Sequence, residues 1–313
     1  MAVTRSDSDR AALRRRLEVL GLPVVALRRA GFLNPSRSDP DWTRAPQAVG
    51  VGPDQRVVAV WNHRHDARRR LVTIHDGGRY PVGSVVLTGC LEPSFVQPLP
   101  DGRILLVAAR NRGGANAEVW SADGRQEHVG DLGDAIEGVL TTATGEIWVG
   151  YFDEAMGGSG PQGHGLARFS SDLQPVWLYP GPPTAPEIFD CYALNVAGET
   201  AWTCAYTQFH VVSACGDQVT DFGRAPYRSA HLLLVDGGAG ALIGGLGPEY
   251  DLVTSFRITE GQAVASGSPQ RLVLPDGMEL RGFRSACRGP NLHVIIRGAW
   301  YRTDLDQLAD EAE

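Results

Sequence analysis

Short apolar runs recur along the whole chain and are separated by turns rich in glycine, proline and aspartate. Apolar and polar residues alternate within many of these runs, a period that predicts β-strands. Several runs form pairs around a tight turn, as at residues 71–87 and at 117–130. Since glycine and aspartate favour hairpin turns, the pattern predicts an all-β chain built from antiparallel hairpins.

The strongest regularity is a unit of about 45 residues that occurs six times. Each unit holds two apolar runs around one turn, and the turn residues are Asp54, Asp101, Thr144, Gly198, Gly238 and Pro290. Four short strands fit each unit, as in a propeller blade, although a solenoid or two packed sandwiches would have a similar period. We therefore predict an all-β, six-bladed β-propeller of four-stranded antiparallel blades over residues 45–305. Its blades start near residues 45, 92, 135, 189, 229 and 281.

The two ends of the chain lie outside these units. Residues 1–44 are predicted to hold a short amphipathic helix, over Ser6 to Leu20, and a closing strand. The apolar run at residues 23–28 is the candidate for that strand, which would complete the last blade and leave no sheet edge open. Residues 306–313 form an acidic C-terminal tail.

Composition and net charge limit the kinds of partner that we expect this protein to bind. The 313 residues carry a formal net charge of −7, which argues against an extended nucleic-acid surface. No apolar stretch is long enough to span a bilayer, so we expect no membrane partner. The five cysteines include no CxxC pair and follow no apolar signal segment, so we expect reduced thiols and a cytoplasmic location. The sequence does not predict the oligomeric state.

All 29 basic residues are arginines, and the chain has no lysine. This excludes a lysine imine, a phosphate-loop lysine and a lysine general base. Arginine keeps its charge at any ordinary pH, so it can bind anions but does not exchange protons. Acid–base chemistry would fall to carboxylates, histidine, tyrosine or cysteine.

In a propeller the first strand of each blade lines the central channel, and the strand ends on one face surround a funnel. Glu137, Asp190 and His231 enter this funnel from three successive blades and are the candidate catalytic residues. Two carboxylates and an imidazole can bind a divalent metal (Ca, Mg, Mn or Zn), or divide acid and base roles. They can also simply satisfy inner-strand backbone groups or buried water.

Further residues at the same face are candidates for binding a small-molecule ligand or substrate. They are Arg281, Arg297, Arg110, Tyr206, Asp153 and Phe283. Next to Asp190, Cys191 is either a buried structural thiol or, if His231 serves as its base, a nucleophile.

The six units resemble the calcium-dependent phosphotriesterase-like propellers, a superfamily of gluconolactonases, senescence-marker-type lactonases and strictosidine synthase. The resemblance is architectural and covers residues 45–305. In the lactonase branch a glutamate that opens an inner strand, an asparagine and an aspartate bind a divalent metal. Glu137-Gly138 is similar to that glutamate-glycine start, Asp190 is the counterpart of the acid, and Asn111 or Asn62 is a candidate for the asparagine. Here the glutamate opens the third blade, whereas the lactonase glutamate opens the first.

Three hypotheses follow. The leading one is a funnel that binds a small polar molecule, with metal-assisted hydrolysis of a lactone or ester as its reaction. The second is a metal-free condensation or cyclisation of the strictosidine-synthase type, with Glu137 as acid/base. The third is a non-catalytic interaction scaffold, because the propeller fold does not fix function.

Overall fold

The protein is a six-bladed β-propeller, as the repeat predicts: among the described residues five blades are four-stranded antiparallel sheets, and the sheet of the fifth blade has six strands. The computed structural model describes residues 5–35, 40–111, 113–155 and 157–310. Parts of the predicted N-terminal region (residues 1–4 and 36–39) and of the predicted acidic tail (311–313) lie outside the described residues. No helix in the described ranges is long and apolar enough to cross a membrane.

The chain begins with one helix and two short strands, and the blades follow in order. These first elements are α1 (Arg5–Leu20), β1 (Val24–Ala26) and β2 (Arg28–Phe32). Blades one to three comprise β3 (Ala48–Val51), β4 (Val57–Asn62), β5 (Arg69–His75), β6 (Gly83–Thr88), β7 (Phe95–Pro98), β8 (Ile104–Val107), β9 (Ala117–Trp120), β10 (Gln126–Gly130), β11 (Ile136–Thr141), β12 (Ile147–Tyr151), β13 (Leu166–Phe169) and β14 (Pro175–Leu178).

Blades four to six complete the ring, and a short helix ends the described chain. Their elements are β15 (Leu194–Ala197), β16 (Thr200–Ala205), β17 (His210–Cys215), β18 (Gln218–Arg224), β19 (Leu232–Asp236), β20 (Ala239–Ile243), β21 (Leu252–Thr259), β22 (Gln262–Ala265), β23 (Gln270–Val273), β24 (Arg284–Arg288), β25 (Asn291–Ile296), β26 (Ala299–Asp304) and α2 (Leu305–Asp310).

The first strands of the six blades (β3, β7, β11, β15, β19 and β24) form a closed ring. Each contacts the first strand of the next blade, and β24 contacts β3. All six turn residues used to align the sequence lie between the first and second strands of a blade. The repeat seen in the sequence is therefore the inner hairpin of each blade.

The ring is closed by a different segment from the one predicted. Strand β2 pairs antiparallel with β26 as the outermost strand of blade six. The predicted run at residues 23–28 instead contains β1, which lies parallel to β23 in blade five. Burial explains the difference, because Val25 and Leu27 are almost fully buried among core residues of blades five and six. The closing strand is an exposed edge and needs few apolar residues, so hydrophobicity did not reveal it.

Helix α1 docks on blade five through Arg16 and Arg15, the latter paired with Glu249. Arg16 donates two hydrogen bonds, of 2.6 and 2.9 Å, to the carboxylate of Asp251, which is fully buried. Arg16 also pairs with Glu279 at 3.0 Å and lies over the ring of Tyr250. Because Tyr250 lines the central funnel, the helix supports one part of the funnel wall.

Candidate functional site

A funnel of about 410 Å³ lies on the propeller axis, at the face where the first strands begin. All six blades contribute to its wall, which is mainly apolar and aromatic. Its polar and aromatic residues include Phe95, Gln97, Glu137, Tyr192, His231, Tyr250, Phe283 and Ser285. An apolar pocket with a few polar groups is the usual form of a small-molecule site.

The funnel has a floor, because a buried arginine occupies the axis beneath it. Arg288 donates to the carbonyl oxygens of Val51 and Thr141 and to the side-chain oxygen of Gln97. Gln97 lines the funnel, while Arg288 lines a second cavity of about 480 Å³ at the opposite end of the axis. The guanidinium therefore separates the two cavities.

Glu137 reaches the funnel from a β-bulge at the start of β11. Ile136 pairs with Tyr151 and Gly138 pairs with Gly150, so Glu137 is the extra residue between the two pairs. Bulges redirect side chains, and they are frequent beside active sites. Among the described residues no group donates a hydrogen bond to its carboxylate. The Glu137 side chain is exposed to the funnel. Desolvation by the surrounding protein, and to a smaller extent the negative charge of Asp190, raise the pKa of Glu137 to about 7.

Asp190 lies beside Glu137 because blades three and four are joined at this point. The backbone N–H of Cys191 donates to the carbonyl of Tyr151, across the blade boundary, at 2.9 Å. Asp190 itself pairs by its backbone with Tyr206, and its side chain is 7% exposed. Its Oδ1 atom is buried without a hydrogen-bond partner in the described part of the chain. Burial, and then the charge of Asp153, raise the pKa of Asp190 to about 6.

His231 and Tyr192 form an adjoining part of the funnel wall. Their ring centroids are 5.2 Å apart. Burial lowers the pKa of His231, so the imidazole is neutral at pH 7. Burial, and then the charge of Asp190, raise the pKa of Tyr192. The structure thus places Glu137 and His231 on one cavity wall, with Asp190 close behind it.

The remaining predicted binding residues are divided between the funnel and the outer rim. Phe283 lines the funnel. Tyr206 belongs to an aromatic group beside it, with centroids 5.9 Å from Tyr192 and 5.6 Å from Phe209. Asp153 is exposed, and its negative charge contributes to the raised pKa of Asp190.

The three predicted arginines lie on exposed segments outside the funnel lining. Arg110 binds Asp134 through two nitrogens, at 3.0 and 3.1 Å, and also pairs with Glu154. Arg281 pairs with Glu279 at 2.8 Å. Arg297 occupies the turn between β25 and β26 with a positive φ of 51°. The charges of Arg110 and Arg281 are thus compensated by nearby carboxylates.

No three histidine, cysteine, aspartate or glutamate side chains in the described ranges lie close enough together to hold a metal ion, and Glu137, Asp190 and His231 are no exception.

Cys191 is a buried thiol packed at the boundary between two blades. Its Sγ atom lies 3.2 Å from Oγ1 of Thr203. A Cβ atom on Gly150 would lie 2.7 Å from this Sγ, so the boundary needs glycine there. Burial raises the pKa of Cys191 to about 12, which keeps the thiol protonated and favours the structural interpretation.

Sequence reasoning missed the funnel residues Gln97, Ser285 and Tyr250, and also Arg288 in the floor. Gln97 is the one polar residue of β7, and this contrast was an available signal, whereas Arg288 ends a strand that already contains Arg284 and Ser285. Tyr250 reaches the wall from a connection between β20 and β21, so strand alignment could not reveal it.

Comparisons with known proteins show the fold and no family. The sequence matches no protein-family model and no curated protein. Among solved structures, a form of KlHsv2 with loop 6CD replaced by a Gly-Ser linker has a TM-score of 0.50 at 9% identity, covering 83% of this chain and 77% of that chain. A gluconolactonase from Xanthomonas campestris has a TM-score of 0.46 at 15% identity, covering 91% and 97%. Virginiamycin B lyase from Staphylococcus aureus has a TM-score of 0.44 at 10% identity, covering 83% and 95%. At such identities the likeness extends to the propeller fold alone.

Proposed function

We propose that this protein is a small-molecule enzyme that uses Glu137 as a general acid and base in its central funnel, without a metal. The observation that carries the proposal is a carboxyl group without a hydrogen-bond donor, on a bulge that directs it into a mainly apolar cavity. The side chain is open to the funnel, so its oxygen atoms are available to a bound molecule.

The properties of Glu137 suit proton transfer near neutral pH. A general acid or base works best when its pKa is close to the working pH, and burial brings the pKa of Glu137 to about 7. The negative charge of Asp190 adds to this effect. Asp190 is thus a positioning residue that makes its neighbour a better proton acceptor.

Other polar groups on the wall are suited to hold the substrate. The hydroxyl of Tyr192, the imidazole of His231 and the hydroxyl of Ser285 line the same cavity. None of them has a side-chain hydrogen-bond partner among the described residues. Phe95 and Phe283 add apolar surface. A small molecule with a carbonyl or hydroxyl group and an apolar body matches this lining.

Turnover measurements with and without a chelator test the proposal. The assay panel contains p-nitrophenyl esters, γ- and δ-lactones, and amine–aldehyde pairs, so that hydrolysis and condensation are both covered. We expect turnover of at least one class that persists in EDTA. It should fall about 100-fold or more in Glu137→Gln. The matched control is Glu127→Gln, an exposed acid on the outer strand β10.

Two results would overturn the proposal. One is activity that requires an added divalent metal and disappears with the chelator. The other is a Glu137 carboxyl that titrates near 4.5 in carbon-13 NMR. Such a group would be ionised at neutral pH and could not act as a general acid there.

A further inference from the structure

The side-chain amide of Gln97 has a fixed orientation at the funnel floor. Gln97 lies on β7 and is 4% exposed. Its Oε1 atom accepts a hydrogen bond from Nη2 of Arg288 at 3.3 Å. Because a guanidinium has only donors, the oxygen of the amide must face Arg288 and the nitrogen must face away.

The amide nitrogen of Gln97 is directed to the cavity. Gln97 and Gly50 both line the funnel, and a Cβ atom on Gly50 would lie 3.0 Å from Nε2 of Gln97. Among the described residues no acceptor binds Nε2, nor is Nε2 among the buried polar atoms that lack a partner. Nε2 therefore lies beside Gly50 at the funnel lining, without an acceptor among the described residues.

Arg288 gives this floor a positive character. The guanidinium is 3% exposed and binds the carbonyl oxygens of Val51 and Thr141. In the described part of the chain no carboxylate forms a salt bridge with it. Hydrogen bonds polarise one another inside a protein, so accepting from a cation makes the Gln97 amide a stronger donor. Such a floor suits an oxygen atom with partial or full negative charge.

We propose that Gln97, oriented by Arg288, is the hydrogen-bond donor that recognises a carbonyl or carboxylate oxygen of the bound molecule. This inference rests on the proposed function, because it names the substrate contact in the same funnel. Gln97 contacts the ligand, whereas Arg288 is a positioning residue that acts through Gln97. The oxygen lies at the floor and the adjoining atoms face the wall that carries Glu137.

NMR titration of the full-length protein tests this contact directly. The Gln97 side-chain amide signal is assigned by its absence in Gln97→Met. The probes are cyclohexanone, cyclohexanecarboxylate and cyclohexylamine, which share a ring and differ in the polar group. We expect the ketone and the carboxylate to shift the Gln97 amide signal and to bind roughly 5–10-fold more tightly than the amine. The two oxygen probes together show whether a neutral carbonyl or an anion is preferred.

Variants separate the contact from general effects on the fold. Gln97→Met should remove the preference for the oxygen probes, whereas Gln218→Met, on the outer strand β18, should leave it unchanged. In Arg288→Lys, which keeps the charge but not the planar donor group, the Gln97 amide signal should move even without a probe. In a folded variant, a purely structural arginine would leave the preference for the oxygen probes unchanged, whereas an arginine that orients Gln97 would weaken that preference.

The proposal fails if cyclohexylamine binds as tightly as the ketone and the carboxylate. It also fails if Gln97→Met keeps the oxygen preference. These outcomes are independent of the test of Glu137, because they measure binding rather than turnover. A funnel that binds ketone through Gln97 but shows no effect of Glu137→Gln on turnover would defeat only the proposed catalytic role.

Discussion

Nη1 of Arg288, in blade six, donates a hydrogen bond of 2.7 Å to the carbonyl oxygen of Thr141, in blade three. These two blades are opposite each other in the ring, so the bond crosses the propeller axis. The same guanidinium also binds Val51 in blade one. One side chain therefore links strands that are distant in sequence and occupies the axis below the funnel.

Replacing Arg288 should destabilise the whole ring. Arg288→Ala leaves buried carbonyl oxygens without donors and opens a cavity, which should lower the free energy of unfolding by about 2–4 kcal/mol. Urea denaturation followed by tryptophan fluorescence measures the change. Arg125→Ala, in an exposed hairpin, should change stability by less than about 0.5 kcal/mol. Equal effects of the two substitutions would show that the axial contacts contribute little.

The ion pair between Arg16 and Asp251 should be essential for docking helix α1. Arg16→Met leaves the fully buried Asp251 carboxylate without its cation and should cost about 3–5 kcal/mol. In a double-mutant cycle, adding Asp251→Asn should recover a large part of this loss, because the charge that needs a partner is gone. Additive losses in the double variant would contradict the coupling.

Glu137 should make the protein less stable as the pH rises. Its folded-state pKa of about 7 lies above the ordinary value of 4.5, so its contribution is complete below pH 4.5 and is lost as the pH rises through 7. Glu137→Gln cannot ionise, so its Tm should exceed that of the natural protein by an amount that grows from pH 5 to pH 8. Allowing for solvent screening, we expect about 1 kcal/mol, which for a chain of this length corresponds to roughly 1–2 °C.

Differential scanning fluorimetry across this pH range measures the effect. Asp190 and Tyr192 interact electrostatically with Glu137, and Asp190→Asn should show the same trend at lower pH, where Asp190 titrates. Glu127→Gln is the control for an exposed acid. A Tm difference that stays constant with pH would mean that Glu137 has an ordinary pKa.

His293 should make the protein less stable as the pH falls. It is buried, stacks on Trp300 with a centroid distance of 5.6 Å and accepts the indole N–H, so the ring is neutral. Burial, with Arg302 and Arg288, lowers its pKa to about 3. Its stabilising contribution is present above pH 6.5 and is lost as the pH falls towards 3, by up to about 1.4 kcal/mol per pH unit.

The comparison of the natural protein with His293→Gln between pH 7 and pH 4 checks this expectation. The stability advantage of the natural protein should shrink as the pH falls. His75 titrates in an overlapping range, since burial lowers its pKa to about 4, and is left in place in both proteins. An unchanged advantage of the natural protein at pH 4 would contradict the role of His293.

The buried cysteines should be inert. Burial raises the pKa of Cys191, Cys204 and Cys287 to about 12, and that of Cys90 to about 11, whereas Cys215 is exposed. With Ellman's reagent at pH 8, one thiol should react quickly in the native protein and five in guanidinium. Peptide mapping should place the fast thiol at Cys215. Rapid labelling of Cys191 would restore it as a candidate nucleophile.

The sequence alone predicted the propeller because each inner hairpin repeats the same local physics. Apolar alternation and a turn residue are needed in every blade, so six copies of the pattern remained visible at Asp54, Asp101, Thr144, Gly198, Gly238 and Pro290. The same alignment identified Glu137 and His231 as funnel residues, because strand entrances are defined by position in the repeat. It also excluded lysine chemistry, which depends on composition alone.

Only the tertiary structure decided which groups act together. The closing strand β2 is a polar edge, and its role depends on pairing with β26 at the far end of the chain. The floor made by Gln97 and Arg288 joins residues 191 positions apart. The availability of the Glu137 carboxyl, and the compensation of Arg110 and Arg281 by neighbouring carboxylates, depend on which side chains approach in space. Local sequence patterns set strands and turns, whereas burial, charge and hydrogen bonding at the axis arise from contacts between blades.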